Sequence, residues 1–279
     1  MKIHHLIVNT LWVLISVNTY AAEYNVEQGL ARFVADMKVQ RYHQTKQLHN
    51  SDTYYDMNGE INAYVFTYVL PNNANNKNNQ QPKFPEVKVT PAVSAEGFLE
   101  KKQKLAMLNQ QQADGKEIAQ ARNELRQLEK QMRQRDRFVT IVISASLENG
   151  PVLDRYFGLP HHIYKQEIIN AKAQQQNFAM AKQAKVIMVS PQELYFASDA
   201  SVTNNNQNKA TKSTIQSGTK GSSISVISIN DGNLKTKTIP DQAQVQAQKS
   251  QMQTSTIDDS TIPKEWKIYR RVYQNREVK

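Results

Sequence analysis

Cysteine is absent from all 279 residues. That excludes disulfides, a thiolate nucleophile, cysteine-held zinc or iron–sulfur centres, and a lipid-bearing cysteine behind a leader. Long apolar runs are almost absent too. The one run, residues 6–17, has the length of a signal-peptide core and falls short of the roughly 20 apolar residues that a membrane span needs. Hydrophobic residues make up 39% of the chain, below the usual level of about 45–50%, a range that also counts glycine. A modest core with polar inserts is the expectation. Local patterns of two enzyme classes are also missing. Gly221-Ser222-Ser223 lacks the Gly-Lys-Ser and following helix of a phosphate loop, and Gly218-Thr219-Lys220-Gly221-Ser222 lies in a tract too polar to hold a serine nucleophile rigidly.

What is present starts with Lys2, the apolar run, and Thr19-Tyr20-Ala21, which puts small residues at the two positions a signal peptidase reads. Residues 1–21 are therefore expected to be a cleavable secretory signal. The expected product begins at Ala22, is exported to the periplasm or beyond, and has no transmembrane anchor after cleavage. Loss of Lys2 lowers the formal net charge from +10 to +9, which favours acidic partners. The cations are scattered rather than interleaved with aromatics in one run, so no specific nucleic-acid partner is expected.

The patterning predicts an α+β protein, with an antiparallel sheet, an N-terminal helix and an inserted helical hairpin. Asn25 and Gln28 read as a capping box, and Val26, Leu30, Phe33, Val34 and Met37 form one helical face running to about Val39. Residues 41–52 are polar and read as a loop. Residues 54–70 form a hairpin around Asn58-Gly59, a pair suited to a type I′ turn. On its long second strand Ala63, Val65, Thr67 and Val69 share one face and Tyr64, Phe66 and Tyr68 the other. Residues 71–95, rich in Asn, Gln and Pro, read as a mobile loop. Ile118, Ala121, Leu125, Leu128 and Met132 alternate spacings of three and four, a coiled-coil seam that breaks at Asp114-Gly115 and so predicts a hairpin of helices over 98–112 and 116–135.

The period then changes to strand. Residues 138–145 are β-branched, Asn149-Gly150 turns the chain, and 151–157 run back. Residues 163–182 read as a polar helix and 185–196 as two short apolar pieces. Residues 224–229 and 234–239 flank a further hairpin turn, between tracts at 204–221 and 242–260 that read as loop and linker. Residues 266–273 read as a closing strand. The expected organisation is a signal at 1–21, an α+β domain at 22–199, a disordered loop at 200–222, and a C-terminal hairpin, linker and strand at 223–279.

The residues Tyr55-Asp56-Met57-Asn58-Gly59-Glu60-Ile61-Asn62-Ala63-Tyr64-Val65-Phe66, then Phe138-Val139-Thr140-Ile141-Val142-Ile143-Ser144-Ala145 and Gly150-Pro151-Val152-Leu153, together carry a resemblance. This order resembles the propeptide-like domain found ahead of streptopain-type secreted cysteine peptidases, which also occurs as a separate inhibitor of them. Residues 185–196 look like a further strand of longer members. Two departures stand out: a loop and a helical hairpin separate the two matched strands, and Arg137 replaces the glycine that usually leads the second one. The resemblance implies a peptidase partner, blocked by a sheet edge or by the Gly158-Leu159-Pro160 loop.

Removing the signal leaves four histidines, His43, His49, His161 and His162. Adjacent residues point in different directions and no acidic cluster is near in sequence, so His161-His162 reads as an exposed loop pair and no metal site is expected. No catalytic constellation and no cofactor site is expected either. Candidate partner contacts are Gly158, Leu159 and Pro160, with the cations Arg133, Arg135 and Arg137 at the end of the helical hairpin, where they complement the helix dipole. The expected function is a non-enzymatic, exported binding protein whose partner is a peptidase. The alternative is an accessory or assembly component of a cell-envelope secretion or conjugation machine.

Overall fold

A computed structural model describes residues 25–71, 84, 95–178, 185–197, 223–238 and 262–277. The expected signal and its cleavage site, nearly all of the loop at 71–95, the tract at 204–221 and the linker at 242–260 lie outside the described residues. Within them the elements run α1 (Gln28–Gln40), β1 (Gln47–Tyr55), β2 (Ile61–Val69), α2 (Ala95–Gln110), α3 (Gly115–Arg133), β3 (Phe138–Ser144) and β4 (Val152–Phe157). After these come α4 (His161–Tyr164), α5 (Gln166–Gln175), β5 (Val186–Ser190), β6 (Glu193–Ala197), β7 (Ser223–Ser228), β8 (Leu234–Thr238) and α6 (Lys264–Glu277).

The strands form one eight-stranded sheet of order β4-β3-β2-β1-β5-β6-β7-β8. It consists of two antiparallel meanders of four strands, joined where β1 and β5 run parallel over only two residue pairs, Tyr54 with Val186 and Tyr55 with Ile187. The mixed α+β class with an N-terminal helix is thus as read from the pattern. β3 is buried along its whole length, as its β-branched run dictates. β2 alternates as expected: Tyr64, Phe66 and Tyr68 pack with Phe33 and Val34 of α1 and with Trp266, while Ala63 and Val65 pack on the opposite face with Ile169 and Ala173 of α5.

Four local expectations are corrected. The polar stretch at 41–52 is not all loop, since β1 begins at Gln47. Asn25 does not cap α1; it bridges to Ser146, Val26 N–H donates to Ala145 C=O at 2.8 Å, and Glu27 stands at the N-cap position. The Asn58-Gly59 turn is not type I′, because only Gly59 has positive φ, at 83°; the Asp56 carboxylate instead collects the N–H groups of Asn58 and Glu60, each at 2.8 Å. Residues 266–273 are helix, not strand. Trp266, Tyr269 and Tyr273 recur at spacings of three and four, which places them together on the side of α6 that faces α1, with Phe33 6.5 Å from Tyr269 and 5.6 Å from Tyr273. Trp266 is fully buried and its Nε1–H donates to Asn149 C=O at 2.8 Å.

The helical hairpin forms close to the expected bounds, but it is more than an insertion at its base. Met132 is 2% exposed and packs with Phe138, Leu159, Tyr164 and Ile168, while Phe98 and Leu99 lie against the same cluster. Away from that base α2 buries nothing fully and α3 buries only Ala121. Replacing residues 98–135 with a linker should therefore destabilise the sheet, by about 2–5 kcal/mol for the loss of a buried Met132 alone. Replacing only 103–123 should leave the thermal midpoint of the sheet essentially unchanged, which a melting curve followed by near-ultraviolet dichroism checks.

Candidate functional site

The sequence placed His161-His162 on an exposed loop, but the structure puts both on α4 and buries His162, 8% exposed. Its Nε2 lies 3.0 Å from Asp52 Oδ2 and its Nδ1 2.9 Å from the Tyr54 hydroxyl. Asp52 and Tyr54 stand two apart on β1, so period-two alternation points both toward α4. The arrangement that satisfies all three groups has Nε2–H donating to the carboxylate and the tyrosine O–H donating to Nδ1. The hydrogen bond from His162 lowers the Asp52 pKa against the opposing effect of burial. Burial, and then the nearby Tyr156, Asp52 and Asp154, hold the Tyr54 phenol well above its ordinary value.

A carboxylate–imidazole–hydroxyl chain is the skeleton of a nucleophilic triad. Here the hydroxyl end is the closed end, because Tyr54 is 1% exposed. What opens to a small cavity of 340 Å³ is the Asp52 end, with Ser51, Thr53 and Lys185 beside it. The relay ties α4 to β1, and its own hydroxyl is closed to solvent.

His161 faces a second group. Its ring packs edge-on against Tyr156, with centroids 5.3 Å apart, and at a tilt against Tyr164 at 5.4 Å, while the Arg133 guanidinium lies 4.7 Å from the Tyr156 ring centre. Burial, with Lys165 and Arg133 nearby, pushes the His161 pKa down to about 3. Arg133 is thereby committed: its side chain lies across Gly158, and its C=O accepts the Leu159 N–H at 3.0 Å. Gly158 has φ of +111°, and an added Cβ would run into the Arg133 side chain, so glycine is required there. Gly158, Leu159 and Pro160 are all buried, and Leu159 is fully enclosed. The loop expected to meet a partner is therefore a packed corner that turns β4 into α4. Arg137 is held by Gln134 Oε1 at 3.0 Å, and its guanidinium lies 5.8 Å from the Phe138 ring centre.

Of the three candidate arginines, Arg135 is the exposed one. It lines an open groove of 740 Å³ with Lys130, His43, Leu70 and Phe157, at the end of β4. The groove continues into a surface patch that the sequence did not single out. Tyr42 is 57% exposed and Phe157 45% exposed; the Arg155 guanidinium lies 4.1 Å from the Tyr42 ring centre, and His43 meets Phe157 edge-on at 5.7 Å. Cation density there is high enough that a hydrogen bond from Arg155, with Arg41 and Lys38 nearby, lowers the pKa of the exposed Tyr42. No group of three or more His, Asp or Glu side chains suited to a metal ion occurs among the described residues, and none of their helices is long and apolar enough to cross a membrane.

The Asp52 pKa is lowered in the fold, so its contribution to stability is fully present above the unfolded value of about 3.9 and is lost as pH falls through the folded value. Asp52→Asn should flatten the stability–pH curve in that acid window and cost about 1 kcal/mol at neutral pH, discounted for partial exposure. His162→Ala should cost more, about 2–4 kcal/mol, because it strands the buried Tyr54 hydroxyl and leaves a cavity. Urea denaturation at pH 7 and pH 3.5 separates the two. Comparison with protein-family models, curated proteins and solved structures returns no match for this chain, so its functional reading rests on these residues.

Proposed function

We propose that this chain is an exported, non-enzymatic binding protein that docks another protein on the patch formed by Tyr42, His43, Arg155 and Phe157 and on the adjoining groove at Arg135. The observation that carries the reading is an exposed cluster at the end of an outer strand, in which the Arg155 guanidinium lies on the Tyr42 ring and His43 meets Phe157 edge-on. Tyrosine and arginine are enriched among the residues that carry most of the binding energy at protein interfaces. The Asp52–His162–Tyr54 relay, which has catalytic atom types, ends on a buried hydroxyl, which supports binding over catalysis.

Inhibition of a streptopain-type peptidase remains the specific form that the family resemblance suggests. With the Gly158–Pro160 corner buried, blocking would fall to the edge of β4 and the patch beside it. The second reading, an assembly component of an envelope machine, draws on the helical hairpin, whose seam residues Ile118, Leu125 and Leu128 stay only half-covered.

A double variant Tyr42→Ala/Phe157→Ala should fold normally and lose about 2 kcal/mol or more of partner binding. The hairpin-trimmed chain lacking 103–123 should keep it. Affinity capture from envelope extract with the wild type and both variants, read by mass spectrometry, tests this. Capture lost only on trimming would replace the patch by the hairpin as the working surface. A direct inhibition assay against a streptopain-type peptidase tests the family-level reading, which absence of inhibition would remove.

A further inference from the structure

β4 is the outermost strand on its side of the sheet, with no described strand beyond it. Gly158 N–H turns inward to Phe138 C=O at 2.7 Å, so by strand alternation the main-chain groups of Arg155 and Phe157 face outward. The Arg155 N–H confirms the direction, since its acceptor is the carboxylate of the neighbouring Asp154, at 2.7 Å on the exposed surface. That carboxylate occupies the place an incoming acceptor would take. It makes a local, solvent-exposed bond that is readily exchanged for another.

Resting on the docking reading above, we infer that the β4 edge receives an acidic, extended polypeptide segment, which adds to the sheet as a further strand beside Arg155 and Phe157. Main-chain pairing supplies affinity, and alternate side chains of the incoming strand supply specificity. On the α1 side of the sheet those alternate positions meet Arg155, Tyr42 and Phe157, and at the strand end they meet the groove, where Arg135 is exposed and Lys130 pairs with Asp136 at 3.1 Å. Acidic residues match that field, whereas a cationic strand would set like charges side by side at a cost. The same rule disfavours a second copy of this chain, because pairing two β4 edges about a twofold axis near their middle brings Arg155 against Arg155. A polyanion such as nucleic acid could meet the cations but has no use for the outward N–H and C=O groups.

The test uses the full mature chain and three synthetic nine-residue peptides. One alternates valine with glutamate, one alternates valine with lysine, and one repeats the glutamate sequence with alternate backbone nitrogens methylated. The glutamate peptide should bind. Affinity should fall by about tenfold or more for the other two, and similarly for Arg155→Glu, with Arg135→Glu as a second, independent variant. Hydrogen exchange should slow at Arg155 and Phe157 on binding. Equal binding of the methylated peptide, or protection at β8 instead of β4, would overturn strand addition. So would binding of an oligothymidine or of anionic vesicles, with the same loss in Arg155→Glu, in place of the peptide. If the Tyr42/Phe157 double variant loses its captured partner while the glutamate peptide fails to bind, the docking surface stands and strand addition falls. If that variant keeps its partner, the docking reading itself is wrong.

Discussion

The fold depends on how two four-stranded meanders are held at a joint of two residue pairs. Parallel pairing is slightly weaker per residue than antiparallel, and two pairs alone would not hold half-sheets together against thermal motion. The connection that follows β4 supplies the rest. α4 brings His162 onto Asp52 and Tyr54, and Tyr54 is itself a member of the joint, opposite Val186. α5 then reaches across to the β7–β8 turn, where Lys165, Lys172 and Gln176 donate to the carbonyls of Asn230, Asp231 and Gly232 in succession. The Gln176 side-chain oxygen accepts the Leu234 N–H at 3.0 Å, and Asn62 of β2 donates to Met188 C=O of β5 at 2.8 Å. Under this polar stitching Ile169 and Ala173 bury against residues of both meanders, Val65 and Val142 on one side and Leu194 and Ile227 on the other. Polar groups set the register of the two halves, and the apolar cluster beneath supplies most of the stability.

That constraint accounts for the chemistry concentrated around His161 and His162. Buried titratable groups with shifted pKa values are the usual signature of a reactive site, but structural networks produce the same signature. Here each shifted group is consumed by a packing task. Asp52 and Tyr54 hold His162 at the joint, and His161, Tyr156 and Tyr164 stack around Arg133, which in turn fixes the Gly158 corner. The exposed aromatic and cationic side chains lie where the sheet ends instead of where it is joined.

The parts legible in sequence are those whose pattern is local. β2, β3 and β4 declare themselves through alternation, β-branched runs and Asn-Gly turns, and α3 through its seam. β1 was only partly legible, because Gln47-Leu48-His49-Asn50-Ser51-Asp52 has no apolar period; it is a strand because β2 pairs with it along its length and β5 adds to its end. α6 was misread because aromatic and β-branched residues suit strands, and the helical spacing of Trp266, Tyr269 and Tyr273 is carried by only three residues. The relay was beyond reach in sequence, since 110 residues separate Asp52 from His162 and only the β4–α4 corner brings them together. One signal could have raised the corner: Gly158 followed by Leu159 and Pro160, right after a strand, is more typical of a tight packed turn than of an exposed loop. The surface patch was equally hidden, because Tyr42 and His43 are far in the chain from Arg155 and Phe157, and the two pairs meet only in the fold.

The two outer strands are guarded against pairing in different ways. An exposed edge invites pairing with any other strand, and proteins commonly blunt it with charge, lysine above all. β8 carries Lys235 and Lys237, whose ammonium groups lie 5.6 and 5.0 Å from the Tyr195 ring centre, with Lys237 bonded to Glu193 at 2.6 Å. An incoming strand there meets two cations already engaged with their own sheet, so it gains little from them and must displace them. β4 is guarded differently, by a single outward arginine stacked on tyrosine and by a carboxylate that temporarily fills an acceptor position. Removing that carboxylate from its N–H costs little, while a partner bringing its own acceptor and its own negative charge recovers both interactions at once. Under the strand-addition proposal this guard favours an acidic strand over a cationic one, which makes the guard itself the source of selectivity.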